Sequence, residues 1–490
     1  MPNTDIAKHN GLATVAVIDI GKTNIKLSAV TAQGKVLETY SITNTTLPAP
    51  PWRHHDLAGI GAWICETLAI LCRQHQAIER IVTSGHGSSG ILVGDLDNPA
   101  DPELSTGAVL PMIDYEQTVP VEINDHYAAL AGDYFDRGSA IMMGATHQAR
   151  QLYWMEKTHP KQFQNAKWFL GMPQYWGWRL GGAAVSEVTY LGAQSQLWNT
   201  VRKSWSPIVA HQKWEHLMAP FAPAWQVIGR IQPELAKRFN FPKPLEILAG
   251  IHDSSANFYR YQAAGWGDAT VISTGTWIVG LSRNTPPEDL KEHHGMTLNA
   301  DVFGRPIGGV LTMGGKEYAH LMALEQAPHM PASPRQLSAI IKGGIMALPS
   351  FGKEEGLFPG SAGNGRITNL VNSLSKEPGF YSSLAVLYAA LLTVECLDAL
   401  KCHDRVVLDG SFLNDPLYAS LVAAMRPDAG TFYNLDTYGV ASGAALLATH
   451  EQTSSQPQVS LQQPEQFACP ELIAYARKWR QQAHTKPDNT

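Results

Sequence analysis

Val15, Ala16, Val17 and Ile18 form a short apolar run, the pattern of a strand covered on both faces. After a polar turn, Ile25 and Leu27 alternate with Lys26 and Ser28, which predicts a second strand with one wetter face. Gln33-Gly34 marks a turn, and residues 36–42 read as a third strand. Residues 43–56 are rich in Pro and Thr and read as a loop. From Leu57 to about Gln76 the apolar positions Ile60, Trp63, Ile64, Leu68 and Leu71 recur at helical spacing. Residues 80–83 then read as a short strand running into Ser-Gly-His-Gly-Ser-Ser-Gly at 84–90.

The opening pattern returns in the second half. Residues 269–272 are an apolar strand, 273–276 a turn and 277–282 a further strand. Laid over the first hairpin, Gly21 meets Gly275, Ile25 meets Val279, Leu27 meets Leu281 and Ser28 meets Ser282. The match is short, but it stands near the start of each half, as a duplicated unit would place it. Residues 384–400 form a strong apolar helix pattern, and 405–408 a strand turning at Asp409-Gly410-Ser411. Residues 438–449 form a helix of small residues, able to approach a neighbour closely. The expected division is a tail at 1–13, a first domain at 14–248, a second at 249–451, and a linker and tail helix at 452–490.

Composition narrows the class. A chain of 490 residues, 44% hydrophobic and 16% charged, has the material for two domains with large cores. A net charge of −6 without a long basic run argues against nucleic acid as the main partner. The five cysteines are odd in number and not in metal-site pairs, which fits a reducing cytoplasm. No signal core and no uncharged apolar run of membrane-spanning length is found, so no membrane partner is expected. Eight of the 13 tryptophans fall between Trp154 and Trp225. Most read as structural, and Trp176, Trp178 and Trp198, which flank a polar Gly-rich run, are the better candidates for a pocket lining.

The chemistry is carried by the turns. The first hairpin holds Asp19, Gly21, Lys22, Thr23 and Asn24, an acid, a glycine, a base and a hydroxyl on one tight turn. The second offers only Ser273, Thr274, Gly275 and Thr276. Charge on one turn and hydroxyls on the other suit a polyphosphate bridged by a divalent metal. Asp253 stands ahead of a predicted helix, where a carboxylate caps the helix or takes a proton from a substrate hydroxyl. Gly85-x-Gly87-x-x-Gly90 matches a dinucleotide fingerprint, but Ile91, Leu92 and Val93 continue as strand rather than helix, so a dinucleotide-dependent oxidoreductase is the weak alternative.

Five segments, DIGKTNIKLS, GIHDSSA, STGTWIVG, LDGSFLNDPLY and YGVASGAALLA, occur in the order found in the FGGY carbohydrate kinases, and the chain resembles that family over about residues 15–449. The resemblance implies an α/β fold of two ribonuclease-H-like domains, the hexokinase/actin-like ATPase superfold, with an interdomain cleft for ATP and a sugar. It implies Asp253 as general base and Asp19 as a residue that places Mg2+. Gly21, Lys22, Thr23, Asn24, Thr274, Gly275 and Thr276 would lie along the phosphates, and Gly410, Ser411 and Asn414 would border the adenosine. His86, Gly87, Asp114, Trp178 and His252 would join Asp253 on the sugar side. Three departures stand out: Leu408-Asp409 where the family has glycines, Ser186-Glu187 where it has Thr-Asp, and Met112-Ile113 rather than a tryptophan before Asp114. The segment SEVTYLGAQSQLW resembles the branch near L-fuculose, L-rhamnulose and other ketose kinases. The implied activity is ATP-dependent phosphorylation of a ketose of L-fuculose, L-rhamnulose or xylulose type. A kinase for a polyol or other non-ketose and a non-catalytic sugar sensor are the alternatives, and a homodimer is the candidate assembly.

Overall fold

The computed structural model describes residues 12–98, 101, 105–325, 330–353, 356–451, 457 and 459–485. Most of the expected N-terminal tail and part of the expected linker after 451 lie outside the described residues. The chain divides into two compact units. Unit 1 comprises 1–267, 298–306 and 438–458, and unit 2 comprises 268–297, 307–437 and 459–490. Unit 1 thus runs past the expected boundary at 248 and takes back a segment from the end of the expected second domain.

Unit 1 opens with β1 (Ala13–Ile20), β2 (Asn24–Thr31) and β3 (Val36–Thr43), an antiparallel meander. Helix α1 (Leu57–Gln74) leads to β4 (Arg80–Gly85), which pairs parallel with β1. Further along come β5 (Gly90–Val93), α2 (Gln148–Thr158), β6 (Trp168–Gly171), β7 (Val227–Arg230), β8 (Glu246–Leu248), β9 (Ile251–His252) and α3 (Asp253–Ala263). The sheet order is β7-β8-β4-β1-β2-β3, with β9 also beside β4. The apolar run of β1 is explained by burial on both faces. Ala16, Ile18 and Ile20 join the core under α1, while Val15 and Val17 join the core containing Ala256 of α3. Side chains alternate along a strand, so Asp19 falls on the face shared with Val15 and Val17.

Unit 2 repeats this arrangement. It contains β10 (Thr270–Thr274), β11 (Ile278–Ser282), β12 (Pro306–Thr312), α4 (Gly314–Met322), α5 (Phe380–Ala399), β13 (Val406–Gly410) and β14 (Thr431–Asn434). Strands β10, β11 and β12 form the meander, β13 is parallel to β10, and β14 is parallel to β13. The ladders correct the residue-by-residue overlay. Ile20 pairs with Ile25 across the first turn, but Thr274 pairs with Ile278 across the second. The second turn is one residue shorter. Ile25 therefore corresponds to Ile278, not Val279, and Ser28 to Leu281, not Ser282. A one-residue slip in a strand exchanges its faces, so the two alignments are not equivalent.

The chain returns to unit 1 as α6 (Gly439–Leu446), whose small residues serve close packing. A Cβ on Gly443 would overlap the Ala256 carbonyl of α3. The last helix, α7 (Leu472–Ala483), is an integral part of unit 2. Trp479 is fully buried and donates from Nε1 to the Ala347 carbonyl at 2.6 Å, while Tyr475 donates to Ile345 at 2.6 Å. Arg480 pairs with Glu395 and Asp398 of α5. Helix α5 is long and apolar enough to cross a membrane by length and composition, and 94% of that stretch is buried. Trp479→Ala removes a large buried side chain and a hydrogen bond, and should cost about 3–5 kcal/mol. Chemical denaturation followed by tryptophan fluorescence and circular dichroism checks this; an unchanged midpoint would mean that α7 does not hold unit 2 together.

Candidate active site

Parallel pairing aligns the ends of three strands in unit 1. Asp19 of β1 lies opposite Ser84 of β4, Ile20 opposite Gly85, and His252 of β9 also opposite Gly85. The His86 amide donates to the Ile20 carbonyl at 3.2 Å. Gly250, at φ +86°, turns the chain into β9 where a Cβ would press on the Thr83 carbonyl. The first hairpin, the His86 loop and Asp253 at the head of α3 are thus carried by neighbouring strand ends.

Asp253 has unequal oxygens. Oδ1 accepts from the Ser254 amide at 2.5 Å and the Ser254 hydroxyl at 3.2 Å, and lies 3.1 Å from His252 Nε2. Oδ2 has no protein hydrogen-bond partner among the described residues. His252 is positioned in turn: its Nδ1 is 3.1 Å from Ser255 Oγ, and its amide donates to Thr189 Oγ1 at 3.1 Å. Thr189 donates to Glu187 at 2.6 Å, and Glu187 caps the short helix Val188–Leu191 through the Thr189 and Tyr190 amides. The Ser186-Glu187 departure therefore supports His252 from behind. Burial, opposed by these hydrogen bonds, pushes the Glu187 carboxyl up to about 7.

Asp19 keeps a partial opening to solvent, and its carboxylate has no hydrogen-bond or ion-pair partner among the described residues. Burial, reinforced by the Asp253 charge and opposed by Lys26, lifts its carboxyl to about 7. A buried carboxylate beside a second one is a site that a divalent cation would relieve.

His86 lies in a loop clamped from behind. Tyr190 donates to the His86 carbonyl at 2.9 Å or the Ser89 carbonyl at 2.6 Å. From α2, Gln148 donates to the Gly87 carbonyl at 3.1 Å and Gln151 to Ser88 at 2.7 Å. Gly87 packs against Ala193 and His252 with no room for a Cβ. Residues 90–93 are strand, paired with β6, so the dinucleotide geometry is absent. His86 is 9% exposed and neither ring nitrogen has a partner among the described residues. Leaving a buried polar group unmatched costs about 1–3 kcal/mol, an arrangement that a ligand would repay. Burial, with the neighbouring His55 ring, the Lys22 ammonium and the His252 ring, pushes its imidazole down to about 3, so it is neutral.

Sequence reasoning missed what residues 43–56 contribute. Part of this segment is stitched to 111–114: His55 donates its amide to Met112, Asp114 its amide to Arg53, and Trp52 its indole N–H to Pro111 at 2.9 Å. Arg53 Nε lies 2.6 Å from Asp114 Oδ2. The Lys22 ammonium bonds Asp114 Oδ1 and lies 3.4 Å from Glu116. Burial raises the Asp114 carboxyl, but the Lys22 hydrogen bond and the Lys22 and Arg53 charges outweigh it and hold the group below its ordinary value. The His55 ring centroid is 5.9 Å from that of His86, and Tyr115 lies 5.3 Å from His86 on another side. The one signal in the sequence was the Arg-His-His-Asp cluster within the Pro-rich stretch.

The expected residues do not all gather. Lys22, expected along the phosphates, is engaged with Asp114. Trp178 packs on Gly107, with its ring 6.1 Å from Tyr175, at the edge of the apolar core rather than in the polar group around His86. Trp176 is buried in that core, and Trp198 meets Trp205 edge-on and Phe221 at a tilt.

In unit 2, Thr274 and Gly410 are ladder partners, so their turns are adjacent. Thr274 donates from Oγ1 to the Asp409 carbonyl at 2.8 Å and accepts from the Phe412 amide at 3.2 Å. Gly410, at φ +95°, sits where a Cβ would overlap the Thr274 carbonyl. A Cβ on Gly275 would meet open space. The Gly315 amide, at the start of α4, donates to the Thr276 carbonyl at 3.1 Å. Asn414 ends the short 3-10 turn that follows Gly410.

A carboxylate on one strand end, a second just past another, and a repeated hairpin mark the site of a two-unit α/β fold. Residues 14–258 match the N-terminal domain of the FGGY family of carbohydrate kinases, and residues 267–457 match carbohydrate kinase FGGY, C-terminal domain. The chain belongs to this family. L-fuculokinase of Escherichia coli (strain K12) is 22% identical over 301 residues, 59% of this chain and 60% of that protein. The chain thus spans about 60% of the length of the curated relatives it matches first. A carbohydrate kinase from Novosphingobium aromaticivorans is similar in structure, with a TM-score of 0.83 and 28% identity over 96% of this chain and 98% of that one. Xylulose kinase from Lactobacillus acidophilus shares the fold, with a TM-score of 0.76 at 16% identity over 96% of this chain and 97% of that one.

The lifted Asp19 carboxyl has a consequence for stability. Its ordinary value of 3.8 applies to the unfolded chain, so between about pH 4 and 7 the folded protein holds a proton that the unfolded chain releases. The stabilising contribution is full below pH 4 and is lost as pH rises through 7. Asp19→Asn should therefore gain stability relative to the parent as pH rises from 4 to 8, read as a widening difference in thermal midpoint. A constant difference across that range would show that Asp19 titrates normally.

Proposed function

We propose that the protein transfers the γ-phosphoryl group of ATP to a hydroxyl of a ketose of L-fuculose, L-rhamnulose or xylulose type, with Asp253 as general base. The observation that carries this reading is the carboxylate at the head of α3, one oxygen held by Ser254 and His252 and the other without a protein partner. An acceptor hydroxyl bonded to that oxygen would lose its proton to Asp253 as its oxygen bonds the γ-phosphorus and the bond to the ADP oxygen breaks. The names of the relatives, L-fuculokinase and carbohydrate kinase, support the reading.

The same reading gives roles to other residues. His86, Gly87, Asp114 and His252 would border the acceptor; the neutral His86 ring offers one donor and one acceptor nitrogen to hydroxyls. Gly21, Thr23 and Asn24 on the first turn, and Thr274, Gly275 and Thr276 on the second, would face phosphates. Gly410, Ser411 and Asn414 would border the nucleoside. Mg2+ fits Asp19, whose unpartnered carboxylate lies within reach of the Asp253 charge; when bound, it would supply positive charge to phosphate oxygens. The five free cysteines fit a cytoplasmic setting.

Asp253→Asn should lower kcat by about 10²–10⁴-fold with an unchanged thermal midpoint, in an assay that detects ADP across a panel of ketoses and polyols. Turnover near the parent's would remove Asp253 as the base. In the same assay Asp19→Ala should raise the KM for Mg-ATP and leave sugar binding intact. Sugar binding lost at normal ATP affinity would refute the metal-placing role.

A further inference from the structure

Lys22 sits on the hairpin that carries Asp19, yet its ammonium is spent elsewhere. It bonds Asp114 Oδ1, lies 3.4 Å from Glu116 and stands 5.0 Å from the centre of the Tyr115 ring. Asp114 is 1% exposed, and its other oxygen is 2.6 Å from Arg53 Nε. Arg53 also reaches Glu116, at 3.8 Å. Two cations and two carboxylates balance within this cluster. Drawing Lys22 away to a phosphate would leave a nearly buried carboxylate with half its compensation, the costly way to break such a pair.

Beside the cluster stand two neutral imidazoles with unmet hydrogen-bonding capacity. His86 has both nitrogens buried and unpartnered, and His55, 2% exposed, has Nε2 buried and unpartnered while its Nδ1 is 3.4 Å from Asn44 Oδ1. Burial pushes the His55 ring down to about 4. An ionised carboxylate that only accepts, beside imidazoles that each donate and accept, suits hydroxyl groups. Both cations of the cluster, Lys22 and Arg53, are ion-paired to its carboxylates, so the carboxylate of a sugar acid would meet Asp114 and Glu116 as well.

We propose that Lys22 is a positioning residue of the acceptor side, which with Arg53 holds Asp114 beside His55 and His86 so that this subsite takes the hydroxyls of a neutral sugar and discriminates against aldonates. The inference rests on the kinase reading for its substrate class, but its binding arm does not depend on turnover. The test compares the parent, Lys22→Met and Lys22→Arg. Neutral ketoses and aldonates are titrated by calorimetry without nucleotide, and KM for acceptor, KM for Mg-ATP and kcat are measured where ADP is released. Lys22→Met should weaken neutral-sugar binding on the order of 10–100-fold, leave KM for Mg-ATP and kcat within about threefold, and be largely rescued by arginine. Loss confined to kcat or to KM for Mg-ATP would overturn the proposal, as would aldonates binding in preference to neutral sugars, or neither class binding. Neutral-sugar binding that depends on Lys22, with no ADP release from the parent, would sink the kinase reading and uphold this one.

Discussion

The central strand β4 is the constraint on which unit 1 depends. It is buried along almost its whole length and pairs in parallel with β1 on one side and with β8 and β9 on the other. Parallel pairing puts like ends together, so the C-terminal ends of β1, β4 and β9 coincide, where ligands of open α/β sheets bind. Asp19, His86 and His252-Asp253 are far apart in sequence, but each follows or ends one of these strands. The apolar core thus does chemical service: the hydrophobic drive that buries Ile18, Val82 and Ile251 also sets two carboxylates within electrostatic reach.

That proximity has a cost, visible in the raised Asp19 carboxyl. The surroundings share the cost unequally. Asp253 keeps its charge compensated on one oxygen by Ser254 and His252, whereas Asp19 has no protein partner among the described residues. The two acids are therefore not interchangeable. One has an oxygen held by its neighbours, and burial lifts the carboxyl of the other. Unit 2 repeats the strand plan without this tension, because the position matching Asp19 on its ladder is Ser273 and its turn is a residue shorter. Its backbone is shaped instead by glycine at 410 and 315, where neighbouring carbonyls leave no space for a side chain. Duplication kept the fold and divided the chemistry.

How much was legible follows from what kind of information each feature needs. The strands of both meanders were legible because alternation and apolar runs are local. Family membership was legible because the motifs are contiguous. Asp253 and Asp19 came with those motifs. The partners of Lys22 did not, because Arg53 and Asp114 are joined only when a Pro-rich stretch pairs along residues 111–114, a long-range event with no periodicity. The setting of Trp178 was hidden for a related reason: an aromatic near glycines looks like a pocket wall, but the half-buried indole packs over Gly107 at the edge of the core. The last helix was legible as a helix, and its docking through Trp479 was not, since a buried face is recognised only by what covers it.

The same long-range pairing explains why the departures from the family pattern need not be losses. Met112, two residues before Asp114 where the resemblance implies a tryptophan, is buried in the core under α1, while Trp52 of the neighbouring segment donates its indole N–H to the Pro111 carbonyl. Glu187, in place of a Thr-Asp pair, still reaches His252 through Thr189. At 187 the residue type differs, yet a buried carboxylate still stands behind the histidine that flanks Asp253. What distinguishes this chain is then the charge balance at Asp114. A histidine- and arginine-bearing segment and a lysine from the first hairpin converge on one carboxylate. The lysine of the first hairpin is thereby tied to the 111–116 segment rather than to its own turn.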